Sequence, residues 1–566
     1  MATPSTTYTY RAGKKVALRK RPDQFVVRAA PEEMMQAGFA HAERVSPHST
    51  RVTTTAADLE RAMGSARLVA PTHHAYDAAD TGQEFLITDR ILVSFKPGTT
   101  REQIDDLGRR YGLVLLSTFS DRDFLFQVTD HTGMNPVKLI VKLNEDERAT
   151  VEAAEHDLNY RMKRYQDIVL PTDARYPKQW HLHTHLEHPD FDRRSSSRCE
   201  EAWQLLESFG SSNVVVCVTD DGCKLDHSDF GSDKFAGWAY FEGNTLVTNG
   251  SVGADPSKMY QSDANHGTSC NGVVAASVDA LRTVGGAPGC RLLPIKWEVD
   301  PRGFLLINDS KLLTVLAFIA DKVDVVSSSW GASPEEDWSV QVVNRIRELT
   351  RTGGRRGRGI LFLWAAGNEN CPISHVSDHR IPFTNGIEIR PDGSAVWVGV
   401  ETTRVFSHNL VGVPGVMYVA ALASTATRSH YSNYGTGIAV CAPTNNVHEY
   451  HRLSVRGLGI VTTTGNGNGV TTQFGGTSSA TPLTAAVAAL TISANPQLTA
   501  LEVESILKQT ASKDLDMTPY PRTPPASFDP NTDWDVSPVE PFEDGAFTSS
   551  PHEGTWSPWF GHGRVD

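Results

Sequence analysis

The sequence predicts an α/β protein built on a parallel sheet flanked by helices on both faces, preceded by a small α+β region. Three observations predict this. From residue 173 onward, short runs of consecutive apolar residues alternate with segments of helical period, as expected of strands buried on both faces. Residues 79–166 read instead as strand, helix, hairpin and helix, the pattern of a small α/β sandwich. The composition, 39% hydrophobic and 21% charged with 45 glycines, is that of a globular chain.

Taken in order, residues 1–78 are polar with a basic start (Arg11, Lys14, Lys15, Arg19, Lys20, Arg21) and carry one helical pattern over 56–63. Residues 85–97 alternate like a strand, and 99–112 have helical spacing with acids early and bases late, which suits the helix dipole. A hairpin is predicted over 113–129 and a longer helical segment over 137–158. No convincing internal repeat is evident, although 1–78, whose role the sequence leaves unknown, could be a degenerate copy of 79–166. In the main body, 167–566, buried strands are predicted at 214–218, 292–299, 323–327, 360–366, 416–421 and 438–442, with helices at 308–321 and 338–350. Thr499 and Glu502 are spaced as a capping box that opens a further helix. Residues 514–557 are Pro-rich, acidic and aromatic, and read as a surface excursion or tether.

The formal charge of −13 argues against a nucleic-acid partner held by phosphate contacts. No apolar run approaches the roughly 18 residues a membrane span needs, so no membrane role is expected. The first residues lack the apolar core of a secretory signal, and seven cysteines without a CxxC pair suit a reducing compartment. A cytoplasmic location follows as the expectation, with secretion left open because a trimmed leader would leave the same sequence.

Parallel sheets present their chemistry at the carboxyl ends of strands. The first strong strand ends in Thr219-Asp220-Asp221-Gly222, which puts an acid at that edge. His266-Gly267-Thr268-Ser269 opens a small-residue helical stretch. Trp364-Ala365-Ala366-Gly367-Asn368 closes another strand and offers a side-chain amide. Gly475-Gly476-Thr477-Ser478-Ser479-Ala480-Thr481-Pro482 runs into an Ala-rich helix, placing Ser478 near a helix N-terminus whose free amides can stabilise an oxyanion. Each motif alone is ordinary: a loop cap, a helix entry, a turn. Together, in the order Asp, His, Asn, Ser and each at an element boundary, they point to acyl transfer by an activated serine.

Over residues 173–566 the stretches VVVCVTDDGCKLDHSDF, HGTSCNGVVAA, VDVVSSSWG, FLWAAGNEN, YSNYGTGIAVCAP, FGGTSSATPLTAAVAAL and GHGRVD resemble the catalytic domain of subtilisin-like serine proteases, with a kexin-like flavour. The resemblance implies a serine endopeptidase acting through an acyl-enzyme. Asp220 would be the orienting acid, His266 the general base, Ser478 the nucleophile and Asn368 the oxyanion donor. Ser329, Trp330 and Gly331 would line the cleft and pair with substrate backbone. Glu335, Glu336 and Asp337 lie near where kexins select basic residues. Asp221 follows the acid as in kexins, and Cys270 follows the histidine by four positions as a small buried residue. No cofactor is implied for catalysis. Structural calcium is implied, with Asp173 and Asp229 as its carboxylates, although Asp279-Ala280 stands where an Asn would be expected.

The same resemblance makes residues 79–166 similar to an inhibitory propeptide, an intramolecular partner of the protease. Arg161-Met162-Lys163-Arg164 resembles a self-processing site, with cleavage after Arg164. The expected partners are therefore a polypeptide substrate, this N-terminal region, and a regulatory protein if the enzyme serves one target on a signal. The competing reading is an inactive scaffold that binds peptides as an added strand.

Overall fold

The computed structural model describes residues 7–39, 41–159, 168–261, 265–384, 387–389, 395–397, 399–525, 527, 530–550 and 554–566. It divides into two compact units, Met1–Tyr165 and Gln166–Asp566.

The first unit begins with β1 (Thr7–Arg11), β2 (Lys14–Val27), α1 (Pro31–Gln36), β3 (Ala42–Ser46), β4 (Ser49–Thr53), α2 (Leu59–Ala66) and β5 (Thr72–Ala78). It continues with β6 (Glu84–Phe95), α3 (Arg101–Arg110), β7 (Leu113–Thr118), β8 (Asp123–Val128), α4 (Pro136–Glu145) and β9 (Val151–Asn159). After β1 the same βαββαβ sequence occurs twice. The strand orders match as well, β3-β4-β2-β5 in the first copy and β7-β8-β6-β9 in the second. Each copy has its own core, Phe25, Val27, Met34, Val52 and Met63 in one, and Ile91, Val93, Phe95, Leu107, Phe126 and Ile140 in the other. Antiparallel pairing of β5 with β6 joins them into one nine-stranded sheet, so the step from residue 78 to 79 falls between two paired strands.

One element differs from the sequence expectation. The helix predicted over 137–158 ends at Glu145, and Val151–Asn159 is a strand paired with β6. Its Ala- and Glu-rich composition favours helix locally, but burial of Val151, Ala154 and His156 against the sheet outweighs that preference. Asn144 fixes the change of direction, its side chain exchanging hydrogen bonds with the Ala154 main chain (2.7 and 3.1 Å).

The second unit is built on β10 (Val215–Asp220), β11 (Ala239–Glu242), β12 (Thr245–Thr248), β13 (Arg291–Lys296), β14 (Val325–Ser328), β15 (Glu335–Glu336), β16 (Leu361–Ala365), β17 (His375–Thr384), β18 (Ile387–Ile389), β19 (Ala395–Trp397), β20 (Val400–His408), β21 (Val416–Ala423), β22 (Ile438–Thr444), β23 (Ile460–Thr464) and β24 (Gly469–Phe474). Its helices are α5 (Cys199–Leu206), α6 (His266–Ala275), α7 (Asp309–Ile319), α8 (Val340–Thr352), α9 (Thr477–Ala494) and α10 (Ala500–Thr510). The main sheet runs β12-β11-β13-β10-β14-β16-β21-β22, parallel throughout except for the β11–β12 pair. Every residue of β10, β14, β16, β21 and β22 is buried, which explains their continuous apolar runs.

Alternate residues of these strands feed two cores. Val216, Val218, Leu361 and Val419 face α6 and α9, whereas Val215, Cys217, Phe362 and Ala420 face α7 and α8. The acidic excursion is more than a tether: Leu515, Val539 and Phe542 are buried in the second of these cores. Among the described residues no helix is long and apolar enough to cross a membrane.

Candidate active site

Asp220 ends β10 and is 2% exposed. Its Oδ1 accepts from His266 Nδ1 at 2.8 Å and from the Asp221 amide at 2.8 Å. A carboxylate can only accept, so Nδ1 carries the imidazole proton and Nε2 is left as the basic nitrogen. Burial pulls the imidazole pKa down, but the Asp220 charge and its hydrogen bond outweigh it, and the net shift is upward. The side chain of His266 is 39% exposed, and Phe474 packs edge-on against the ring at 5.5 Å.

Ser478 is the second residue of α9 and is 8% exposed. The turn before it needs its glycines. Gly476 has φ +74°, and a Cβ on Gly475 would collide with the Asn445 amide. The Gly476 amide donates to Tyr431 Oη (3.0 Å) and to Asn445 Oδ1 (3.1 Å), which ties the turn to the end of β22. Among the described residues the Ser478 hydroxyl donates to the Ser329 carbonyl at 3.3 Å, and its own amide has no main-chain acceptor. Cys270 spans the serine and the histidine, with Sγ 3.6 Å from the Ser478 carbonyl and 3.8 Å from His266 Nδ1.

Asn368 follows β16. Its Oδ1 accepts from the Thr477 amide (2.9 Å) and hydroxyl (3.0 Å), which orients the side chain and leaves the Nδ2 hydrogens uncommitted among the described residues. Glu369 braces it by accepting from the Asn368 amide (2.9 Å), Ser333 Oγ (2.8 Å) and Asn433 Nδ2 (2.8 Å).

Asp220, Asp221 and His266 open onto a cleft of about 550 Å³ lined on its other sides by Phe304, Leu305, Ile307 and the Ser329–Trp330–Gly331 segment. Ser329 Oγ donates to the Ser478 carbonyl (3.0 Å). The Trp330 indole donates to Thr219 (2.9 Å to Oγ1) and packs among Trp297, Trp338 and Trp364. The three acids expected nearby separate. Glu335 and Asp337 are exposed, and Asp337 accepts from Ser407 Oγ (2.8 Å). Only Glu336 reaches the cleft, 8% exposed, accepting from the Ala332 amide and the Trp338 indole at 3.0 Å each. Burial pushes its carboxyl up to about 7. A larger cavity of about 860 Å³, between residues 184–193, 446–456 and 516–521, touches none of these groups.

The expected calcium carboxylates lie elsewhere in this unit. Asp173 and Asp229 are both buried, and Asp173 Oδ2 and Asp229 Oδ1 have no hydrogen-bond partner among the described residues. Asp229 Oδ2 accepts from the Thr283 amide and hydroxyl (2.9 and 2.8 Å), and Asp173 Oδ1 accepts from the Asp279 amide (3.3 Å). Asp279 joins them, its carboxyl pushed up to about 6 by desolvation and by the charges of Asp229 and Asp173. Asp173 and Asp229 thus each keep a buried, unsatisfied oxygen of the hard kind that calcium takes, but with the exposed Asp279 they do not converge into one ligand set among the described residues. By proximity alone Asp220, His266 and Cys270 resemble a ligand set. There, however, Asp220 Oδ1 and His266 Nδ1 are committed to each other by the 2.8 Å hydrogen bond, and burial pushes the Cys270 thiol up to about 12. The processing site expected at Arg164 lies outside the described residues.

The Subtilase family model (Peptidase_S8) matches residues 211–551. A calcium-dependent protease of Trichormus variabilis is 26% identical over 461 residues, covering 76% of this chain and 60% of the relative. Human proprotein convertase subtilisin/kexin type 4 is 28% identical over 365 residues, covering 62% of this chain and 39% of the relative. The chain thus spans at most about 60% of the length of these curated relatives. The crystal structure of a serine protease of Aeromonas sobria is 21% identical with a TM-score of 0.48, covering 73% of this chain and 69% of that one.

Proposed function

The chain belongs to the subtilase family, and from that premise we propose that it is a serine endopeptidase whose acyl-transfer machinery is Ser478, His266, Asp220 and Asn368. The observation that carries the proposal is the 2.8 Å bond from His266 Nδ1 to a buried Asp220, with Cys270 Sγ touching both that Nδ1 (3.8 Å) and the Ser478 carbonyl (3.6 Å) at the α9 N-terminus. On substrate binding the Ser478 hydroxyl turns from the Ser329 carbonyl toward Nε2. Oγ then attacks the scissile carbonyl as its proton passes to Nε2. Asp220 holds the ring and stabilises the imidazolium. The oxyanion takes hydrogen bonds from the Ser478 amide and Asn368 Nδ2. Nε2 next protonates the leaving amine, and water hydrolyses the acyl-enzyme by the same proton path. Loss of the Asn368 donor should cost about 10²–10³ in kcat.

Glu336 supports a preference for Arg or Lys at the residue before the cut, because it is the acid of the 335–337 group that lines the cleft, without a cation hydrogen-bonded to it among the described residues. Asp173 and Asp229, each with a buried oxygen left unsatisfied among the described residues, would be the carboxylates of a structural calcium that takes no part in bond cleavage. The Trichormus relative is named for calcium dependence, in keeping with that role. The N-terminal unit, whose second βαββαβ copy occupies the propeptide-like stretch, is the proposed intramolecular inhibitor, released before the enzyme meets its polypeptide target.

A fluorophosphonate probe tests the core of the proposal. It should label Ser478 in the purified protein, and Ser478→Ala should lose both labelling and peptide hydrolysis. Normal turnover by Ser478→Ala would overturn the assignment. Mass spectrometry of active protein should reveal a new terminus after Arg164, and a fully active intact chain would defeat the inhibitor role.

A further inference from the structure

Helix α6 carries His266 as its first residue, and the residue at its N-cap, Asn265, makes no side-chain capping bond. Asp221 fills that place from 45 positions away in sequence. Its Oδ2 accepts from the His266 amide (3.2 Å) and its Oδ1 from the Gly267 amide (2.7 Å). Both carboxylate oxygens are thereby spent on the first two free N–H groups of the helix, where a negative charge is also favoured by the dipole. The preceding residue of the same strand end, Asp220, holds the imidazole ring. Asp220 at the end of β10 and Asp221 in the bend just beyond it thus grip one histidine at two points, its side chain and its main chain.

We propose that Asp221 is a positioning residue for the general base, fixing the His266 backbone on β10 so that Nε2 stands at one place in the cleft. This rests on the serine-protease reading above and goes beyond it, since the acyl-transfer steps need Asp221 for nothing else. Two grips matter because a single Asp220–Nδ1 bond leaves the ring free to swing about that bond. Anchoring the main chain removes most of that freedom, and small misplacements of a catalytic group are costly. The charge has a second effect. A carboxylate beside the imidazole favours its protonated form, so Asp221 sets the acid limb of activity together with its neighbours. Those neighbours are Asp220 on β10, Cys223 in the following loop, Cys270 on α6, and Lys296 on β13, whose ammonium donates to the Lys258 carbonyl (2.8 Å). Burial and the Asp220 charge push the Asp221 carboxyl itself up to about 7.

The test uses the full chain and two variants, Asp221→Asn, which keeps one acceptor oxygen, and Asp221→Ala, which keeps none. Labelling of wild-type Ser478 by the fluorophosphonate is measured first, since its absence would sink the protease reading rather than this one. Given labelling, Asp221→Ala should lower kcat and the labelling rate in parallel by about 10²-fold, with KM little changed. Asp221→Asn should recover part of that loss. In both variants the acid limb of kcat/KM should move to lower pH, by roughly one unit, because a negative charge near the imidazole has gone. Wild-type kcat and an unmoved limb in Asp221→Ala would overturn the proposal. So would a rise in KM confined to basic substrates with the labelling rate intact, which would make Asp221 a substrate-binding group.

Discussion

Two groups of carboxylates in the same unit meet opposite surroundings. At the end of β10, Asp220 and Asp221 face an imidazole and a helix N-terminus, and three of their four oxygens accept hydrogen bonds. Around Asp229, by contrast, Asp173 and Asp279 approach one another with buried oxygens left unsatisfied on Asp173 and Asp229. Asp220 Oδ2 is unsatisfied too among the described residues, but it belongs to the carboxylate that faces His266. Around Asp229 the charged and titratable neighbours are His227, whose Nδ1 accepts from the Asp229 amide (3.1 Å), and Arg282. The difference teaches that burial alone does not fix how a carboxylate is used: the donors opposite Asp220 and Asp221 satisfy most of their oxygens, whereas Asp173 and Asp229 each keep one unmet among the described residues.

The largest expected effect attacks the first cluster. Asp220→Asn keeps shape but turns acceptor into donor, so the imidazole would be held in the wrong tautomer. Peptide hydrolysis should fall by roughly 10⁴ in kcat with the fold intact by circular dichroism. Retention of a tenth of wild-type kcat would show that the 2.8 Å bond is incidental.

Next comes the second cluster. In the absence of calcium, the raised pKa values of Asp229 and Asp279 mean that ionising them opposes folding. Stability of calcium-free protein should therefore drop as pH rises from about 4 through about 6, the window between the ordinary carboxyl value and the raised one. Calcium at a hundredfold excess over its Kd should restore about 3 kcal/mol, and more at pH 7 than at pH 4. Melting temperatures with and without EDTA across that range would check it. Asp229→Asn should remove the calcium response while leaving kcat/KM of the folded protein near wild type.

How much of this was legible in the sequence follows the same physics. The main sheet was legible because strands buried on both faces must be continuously apolar, and observed ends lie within about three residues of those expected. Asp220, His266, Asn368 and Ser478 were legible because each stands at an element boundary in a short motif. What the sequence did not disclose depends on contacts between distant segments. The capping of α6 by Asp221 links residues 45 apart, and the clamp of Asn445 on Gly476 links residues 31 apart. Neither leaves a local signal. Strand β9 was hidden because Ala and Glu favour helix until β6 supplies a partner. Of Glu335, Glu336 and Asp337, the two-residue pairing of β15 with β20 decides which turns inward, and composition could not.

Glu336 connects the two regimes, a carboxylate buried like those near Asp229 but lining the catalytic cleft. Replacing it with Gln should cut kcat/KM for substrates with Arg before the cut by about 10-fold or more, the size of a lost charge-assisted hydrogen bond, and leave apolar substrates unaffected. In wild type the Arg preference should weaken as pH falls below about 7, where the carboxyl protonates, and Glu336→Gln should show no such pH dependence. The smallest effect is on stability. The folded-state value of about 7 lies above the ordinary 4.5, so the glutamate opposes folding increasingly as pH rises through that interval and fully above it. Glu336→Gln should therefore be more stable than wild type at pH 8, by about 1–3 kcal/mol, and indistinguishable from it near pH 4. A variant less stable at pH 8 would mean that a bound cation compensates Glu336 in the folded protein, which would move this residue from the catalytic group to the metal-holding one.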